Sequence, residues 1–211
     1  MNDKILKDDK LLILASQSPR RKYLLEQAGL DFSIIPSDID ESVVPLEAPV
    51  DYVRKLAEIK AGDIADRYPY NWVLGADTIV LIDDEILGKP ESKAGALAML
   101  QKLNGRTHQV YTGYSLICKS KNRVISKTII TDVLFKTLTD HELEWYINTP
   151  EPFDKAGSYA IQGLGTFLVK SISGSYTNVV GLPVCEVIET LLAENVIGQT
   201  IGETGYDINN E

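Results

Sequence analysis

Two adjacent arginines follow a short apolar stretch near the start of the sequence, in LLILASQSPRRKYLL at residues 11–25. Ser18 is a favourable N-cap and Pro19 suits the first position of a helix, so Arg20 and Arg21 fall in its first turn. Cations there oppose the helix dipole unless an anion such as a phosphate binds the free N–H groups and both guanidinium groups. The pattern indicates either a phosphate site or two solvated surface arginines.

An acidic segment follows the second predicted strand. The sequence SDIDES at residues 37–42 carries Asp38, Asp40 and Glu41. Carboxylate oxygens are the ligands that Mg²⁺ and Mn²⁺ prefer in proteins. The segment is therefore either a solvated acidic loop or part of a site for a divalent cation.

A further acidic residue, Asp77 in GADT, interrupts an otherwise apolar strand. Because an unpaired carboxylate is costly to bury, we expect a turn or a β-bulge at Gly75 to expose it. Two interpretations stay open for Asp77. It is either paired structurally with a lysine, or it acts as a general base or metal ligand.

Three lysines lie beside glycine or proline or on a predicted helix. They are Lys60, Lys89 in LGKP and Lys155 in DKAG. Each one alone is typical of a solvated surface. Together with the two arginines, they could surround a triphosphate.

Other possible catalytic or binding patterns fail. The glycines of QGLG at residues 162–165 precede a strand rather than a helix, so they are not a dinucleotide fingerprint. The sequence has no phosphate-binding P-loop. His108 and His141 are too few and too separated for a zinc site, and Ser16 and Ser18 have no evident histidine partner for a hydrolase triad.

Predicted strands and helices alternate along most of the chain that carries these residues. This pattern predicts an α/β fold: a single domain with a central twisted, mixed β-sheet flanked by helices. We predict strands at 11–15, 32–35, 72–82, 85–87, 107–118 and 123–136, with a further strand after the QGLG segment, and we expect the strands at 107–118 and 123–136 to form an antiparallel hairpin. Helices are predicted at 19–28, within residues 48–69, where apolar residues recur at helical spacing, at 92–103, from 139 or 140 to before 150, and from 182.

Composition narrows the class of ligand. A formal net charge of −9 over 211 residues argues against nucleic-acid and anionic-membrane binding, and it favours a small phosphorylated ligand that arrives with a divalent cation. The sequence lacks both the roughly 18-residue apolar run of a membrane span and the apolar region of a signal peptide. Cys118 and Cys185 lie in apolar surroundings, which predicts buried free thiols and a cytoplasmic protein.

The end of the chain differs from the rest. GQTIGETGYDINNE at residues 198–211 is polar and aperiodic, and it predicts a flexible tail after a single domain at residues 1–197.

Taken in order, these motifs resemble those of the Maf family of nucleoside triphosphate pyrophosphatases. The resemblance extends from about Leu11 to Glu194. The motifs that carry it are ASQSPRRKYLL, the glutamate of IDES, LAEIKA, LGADTIV, LGKP, LNGRTHQVYTG, FDKAGSYAIQGLG and GSYTNVVGLP.

The resemblance implies a mixed-sheet α/β fold with a deep nucleotide-binding cleft, a homodimer, and a divalent cation, Mg²⁺ or Mn²⁺. It implies hydrolysis between the α- and β-phosphates of a nucleoside triphosphate. In that reaction Asp77 would be the general base, and Glu41 would help it to hold the cation. The phosphate path would be lined by Ser16, Arg20, Arg21, Lys60 and Lys89.

Three positions bear on the choice of base. Arg20, Thr78 and Gln162 match the residues typical of members that act on dTTP and UTP, and this similarity assigns substrate-binding and specificity roles to them. Two alternatives stay open: a non-catalytic nucleotide-binding regulator of cell division and septum formation, and a pyrophosphatase for the purines inosine or xanthosine triphosphate.

Overall fold

A mixed β-sheet lies at the centre of the computed structural model, which describes residues 11–46 and 48–198. Within these ranges, seven strands are arranged in the order β2-β1-β3-β5-β6-β7, with β4 paired to β3. The strands β1 to β7 comprise Leu12–Leu14, Ser33–Ile34, Trp72–Ile82, Glu85–Leu87, Thr107–Cys118, Arg123–Phe135 and Val169–Ser173.

The sheet has a parallel part and an antiparallel part. Strand β1 is parallel to both β2 and β3, while β3 pairs with β5, β5 with β6 and β6 with β7 in antiparallel fashion. The predicted β5–β6 hairpin is confirmed, and its turn includes Asn122 at a φ of 50°. The long central strands therefore carry the mixed sheet that the sequence predicts.

Six α-helices are present in the described ranges, and several begin at the residues that the sequence predicts. Ser18 and Ser92 cap α1 and α3, and Thr139 with Glu142 forms a capping box at the start of α4. The helices α1 to α6 comprise Pro19–Gln27, Pro49–Arg67, Lys93–Leu103, Asp140–Ile147, Tyr176–Val180 and Val184–Ala193. The short helix α5 was not predicted.

The two faces of the sheet carry separate cores. One face packs against α2 through residues such as Ala61, Ile64 and Val73. The opposite face packs against α1 and α6 through residues such as Leu25 and Leu191. Because side chains alternate along a strand, neighbouring residues of β3 point toward different helices.

Two glycines bring α2 close to the sheet. A Cβ atom at Gly75 would lie 2.4 Å from the Ala57 carbonyl oxygen and 2.7 Å from the Ala61 nitrogen. A Cβ atom at Gly113 would lie 2.3 Å from the Val53 carbonyl oxygen. Both glycines therefore serve close approach of a helix backbone to the sheet.

Two expectations are wrong. Strand β3 runs without a bulge at Gly75, and its pairing with β5 is regular from Val73 to Leu81, so Asp77 is buried within the strand. Its cost of burial is met by an ion pair instead. The second concerns the thiols: Cys118 is buried, but Cys185 is exposed, because it lies on the outer side of α6.

No helix in residues 11–46 and 48–198 is long and apolar enough to cross a membrane. The predicted tail at residues 198–211 lies, apart from Gly198, outside the described residues. The single-domain α/β fold is confirmed, whereas the deep cleft stays a prediction.

Candidate active site

A buried ion-pair cluster joins the strand β3, the helix α2 and the acidic segment. The Lys60 Nζ atom lies 2.7 Å from Asp77 Oδ1 and 2.9 Å from Glu41 Oε1. The Lys60 side chain is only 12% exposed, as is that of Asp77, while Glu41 is half-exposed. Asp77 is therefore paired with a lysine, as the first interpretation expects. This pairing leaves open the second interpretation, in which Asp77 is a general base or a metal ligand.

The electrostatics of Asp77 combine opposing effects. Burial raises the pKa of its carboxyl group, while the charges of Lys60 and Arg21 lower it and that of Glu41 raises it further. The net effect is a raised pKa. A carboxylate with a raised pKa is a better proton acceptor than one exposed to water.

The acidic segment contributes one carboxylate to this cluster rather than three. Asp40 caps a 3-10 turn at Glu41–Val43 by accepting hydrogen bonds from the Ser42 N–H and hydroxyl, which hold its pKa below the usual value. Asp38 is exposed. Glu41 alone reaches Lys60, and the described ranges contain no group of three or more His, Cys, Asp or Glu side chains suited to a metal.

Glu41 and Asp77 nevertheless fit a hard divalent cation. Both lie within 3 Å of the same positively charged atom, Lys60 Nζ, so one oxygen of each carboxylate converges on a common point. Mg²⁺ commonly binds one or two carboxylates and takes its other ligands from water and substrate phosphates. The donor set is therefore of the right chemistry, with two protein ligands.

Arg21 forms a second cluster on the other face of β3. Its guanidinium group donates to Gly181 O at 2.8 Å, to Thr78 Oγ1 at 3.1 Å and to Ser16 Oγ at 3.2 Å. A guanidinium group has five N–H donors, so donors remain for a ligand. The structure thus brings Ser16, Arg21 and Thr78 together, and it holds Arg21 in one orientation.

Arg20 points elsewhere. Its Nη1 atom lies 3.0 Å from Asp154 Oδ2, and Asp154 also pairs with Lys155. The Asp154 side chain is 62% exposed, and exposed ion pairs of this kind are weak. An anionic ligand could therefore displace Asp154 from both cations at small cost.

Lys89 is exposed, and no hydrogen bond or ion pair of its side chain is present in the described part of the chain. Its loop is tied to the DKAG segment because the Gly157 N–H donates to Gly88 O at 3.1 Å. The two lysine-bearing loops are thus neighbours, whereas Lys89 does not contact the Lys60 cluster.

Gln162 lines an open cavity of about 500 Å³ together with residues of β7 and α5, including Tyr176. Within the residues described here, its side-chain amide has no hydrogen-bond partner. No hydrogen bond joins Arg20, Thr78 and Gln162 to one another in the described part of the chain: Arg20 bonds to Asp154, Thr78 bonds to Arg21, and Gln162 lines the cavity.

Sequence reasoning missed several residues that support these groups. Thr112 bonds to Thr78 Oγ1 at 2.9 Å, and the Gly181 carbonyl orients Arg21. Thr78 and Thr112 lie opposite each other on β3 and β5, and this pairing could be predicted only if the register of the two strands were known. Asp154 is adjacent to Lys155 in a motif already singled out, but its contact with Arg20 spans 134 residues.

Comparison with known proteins adds a family. The family model described as "Maf-like protein" matches residues 11–194. A dTTP/UTP pyrophosphatase of Syntrophus aciditrophicus (strain SB) is 51% identical over 180 residues, which cover 85% of this chain and 88% of that protein. One from Geobacter metallireducens is 49% identical over 184 residues, covering 87% and 96%. Among solved structures, the Staphylococcus aureus Ham1 protein is similar at 13% identity and a TM-score of 0.46, over 75% of this chain and 79% of that chain.

Proposed function

Because the chain belongs to the Maf family, we propose that it is a nucleoside triphosphate pyrophosphatase that hydrolyses dTTP and UTP to the nucleoside monophosphate and pyrophosphate. Relatives that are about half identical to this chain over most of both sequences are named dTTP/UTP pyrophosphatase. The observation in the structure that best supports the proposal is the buried Asp77 carboxylate, bonded to Lys60 and within reach of the charge of Arg21.

In the proposed reaction, Asp77 takes a proton from the water that attacks the α-phosphorus. The new O–P bond forms as the bond between the α-phosphorus and the bridging oxygen breaks, and pyrophosphate leaves with the electron pair. The raised pKa of Asp77 suits this role, and Lys60 keeps the carboxylate oriented at 2.7 Å.

Cationic and polar side chains stabilise the leaving pyrophosphate. We assign this role to Ser16, Arg20, Arg21, Lys60 and Lys89. Arg21 is already held by three acceptors and costs little to order, while Arg20 exchanges Asp154 for a phosphate oxygen. Positioning and charge neutralisation are the main requirements of phosphoryl-type transfer.

Glu41 and Asp77 are the residues that would hold a divalent cation, Mg²⁺ or Mn²⁺. Such a cation, when bound, neutralises charge on the phosphate oxygens and lowers the pKa of nearby water.

Base preference is assigned to Arg20, Thr78 and Gln162. The amide of Gln162, which has no hydrogen-bond partner among the described residues, lies at the cavity and has one acceptor and two donors, which match the O4 and N3–H edge of thymine or uracil. Cytosine presents the reversed pattern at the same edge. A mismatched base would leave the polar groups that face it unpaired.

A panel of nucleotides tests the proposal and its alternatives. We expect the highest kcat/KM with dTTP and UTP in the presence of Mg²⁺ or Mn²⁺. A preference for inosine or xanthosine triphosphate would favour the purine enzyme instead. Nucleotide binding without turnover of any triphosphate would favour a non-catalytic regulator of cell division.

The remaining family properties are proposals as well. We propose a cytoplasmic homodimer in which residues 1–197 carry the activity and residues 198–211 are dispensable. Light scattering of the full chain tests the dimer. A chain that ends at Ile197 should keep the activity and melting temperature of the full chain, and a large drop in either would contradict this boundary.

A further inference from the structure

Glu151, a carboxylate outside the site described above, binds the backbone of the glycine-containing segment that carries Gln162. Its Oε1 atom accepts hydrogen bonds from the Tyr146 hydroxyl at 2.8 Å and the Gly165 N–H at 2.7 Å. Its Oε2 atom accepts one from the Leu164 N–H at 2.9 Å. One side chain therefore fixes the backbone that follows Gln162.

Tyr146 fixes the backbone that precedes Gln162. Its hydroxyl accepts a hydrogen bond from the Ala160 N–H at 3.2 Å while it donates to Glu151. Tyr146 is fully buried, and burial together with its bond to Glu151 raises the pKa of the phenol, so the hydroxyl stays protonated. Both ends of residues 160–165 are thus attached to the same pair of side chains.

The glycines of QGLG, which the sequence leaves without a role, are explained by this pair. Gly163 has a φ of +69°, and a Cβ atom there would lie 2.4 Å from Glu151 Oε2. A Cβ atom at Gly165 would lie 2.3 Å from the Ala160 carbonyl oxygen and 2.7 Å from the Tyr146 hydroxyl. The segment can approach Glu151 and Tyr146 only because both positions are glycine.

We propose that Glu151, acting with Tyr146, is a positioning residue for base recognition: it fixes residues 160–165 so that the Gln162 amide faces the cavity in one orientation. This inference rests on the proposed function, because it assumes that Gln162 recognises the base. Bonds from backbone N–H groups to a charged carboxylate are stronger than those to a neutral acceptor, which suits Glu151 to this task.

Two variants and a control test the proposal in the full chain. Glu151→Gln replaces one acceptor oxygen by an NH₂ group that faces N–H donors, and Tyr146→Phe removes the hydroxyl alone. Glu142→Gln is the control, since Glu142 lies on the same helix as Tyr146 but bonds to Lys136 and Thr139. Melting temperature, amide hydrogen exchange and kcat/KM for dTTP, UTP and inosine triphosphate are measured for all four proteins.

We expect the Leu164 and Gly165 amides of Glu151→Gln to exchange about tenfold faster or more than in the wild type, and those of Glu142→Gln to be unchanged. The ratio of kcat/KM for dTTP to that for inosine triphosphate should fall about tenfold. The fall should arise from a higher KM with kcat little changed, because a contact with the base is made equally in the ground and transition states. Tyr146→Phe should show the same changes at reduced size.

Three outcomes would overturn the inference. Wild-type exchange at Leu164 and Gly165 in Glu151→Gln would show that the carboxylate does not hold the segment. A uniform fall for all three substrates, matching the loss of stability in Glu142→Gln, would reduce Glu151 to a structural role. An unchanged ratio of kcat/KM for dTTP to that for inosine triphosphate in both variants would show that residues 160–165 do not determine base recognition. By contrast, a wild-type enzyme without pyrimidine preference would overturn the proposed function itself, while the exchange data would still report on the contact.

Discussion

The residue on which the proposed chemistry depends most is Asp77. Replacing it with asparagine keeps the shape of the side chain but removes its ability to accept a proton. We expect Asp77→Asn to lower kcat by roughly 10²–10⁴-fold at an unchanged fold, measured by steady-state kinetics and circular dichroism. The wild-type rate should also fall as the pH decreases, because protonation of Asp77 removes the base.

A matched control is Asp132→Asn, which changes a carboxylate on β6 that accepts a hydrogen bond from Gln109 at 3.0 Å, outside the Lys60 cluster. It should turn over dTTP at close to the wild-type rate. Near-normal turnover by Asp77→Asn would show that Asp77 is not the general base, and Glu41 would then be the next candidate.

Glu41 has a different expected effect. Glu41→Gln removes one anionic ligand, so more Mg²⁺ or Mn²⁺ should be needed for half-maximal activity, and direct titration with Mn²⁺ should show weaker binding. Asp38→Asn changes an exposed carboxylate three residues away and should leave the titration unaltered. Equal shifts in both variants would indicate a general effect of charge rather than a ligand.

At the level of elements, the contact of α2 with β3 places Lys60 beside Asp77. Gly75→Ala should cost about 1–3 kcal/mol of unfolding free energy and also lower kcat, because a Cβ atom would push against the α2 backbone at Ala57 and Ala61. Denaturant unfolding and kinetics measure the two effects.

Gly62→Ala on the same helix is the control. A Cβ atom at Gly62 would have no contact within 4 Å among the described residues, and alanine is the better helix former. This variant should be at least as stable as the wild type and fully active. If Gly75→Ala were equally harmless, the close approach of α2 would not be what positions Lys60.

Helix α2 and its neighbours show which features the sequence predicts and which it does not. Apolar periodicity predicts α2 correctly, and caps such as Ser18 and Ser92 mark helix starts that are local in sequence. The predicted bulge at Gly75 is wrong. A bulge is expected if the Asp77 carboxylate has to be exposed to water, but Asp77 pairs with Lys60, 17 residues away along the chain, and therefore stays buried in a regular strand. Contacts such as Arg20 with Asp154 or Glu151 with Leu164 depend on the tertiary packing, which no local pattern contains.

At the level of the whole molecule, a buried histidine links stability to pH. His108 is 2% exposed, its Nε2 atom lies 2.7 Å from the Tyr159 hydroxyl, and burial lowers its pKa from 6.5 to about 4. Between these two values the unfolded chain binds a proton that the native protein does not bind. The free energy of unfolding should therefore decrease as the pH falls through this window.

The contribution of His108 should be about 3 kcal/mol between roughly pH 7 and pH 4, since one pKa unit corresponds to about 1.4 kcal/mol. His108→Gln should lose this part of the pH dependence in urea unfolding, whereas His141→Gln, which changes the exposed second histidine, should retain it. Parallel pH profiles for the wild type and His108→Gln would mean that His108 is not held neutral.

Cleavage between the α- and β-phosphates of a pyrimidine triphosphate can be tested by identifying the products of dTTP hydrolysis. The full chain is incubated with dTTP and Mg²⁺ or Mn²⁺, and the products are identified by ³¹P NMR. We expect dTMP and pyrophosphate as the initial products, and Asp77→Asn should form neither at a comparable rate. Formation of dTDP and orthophosphate would contradict the assigned bond.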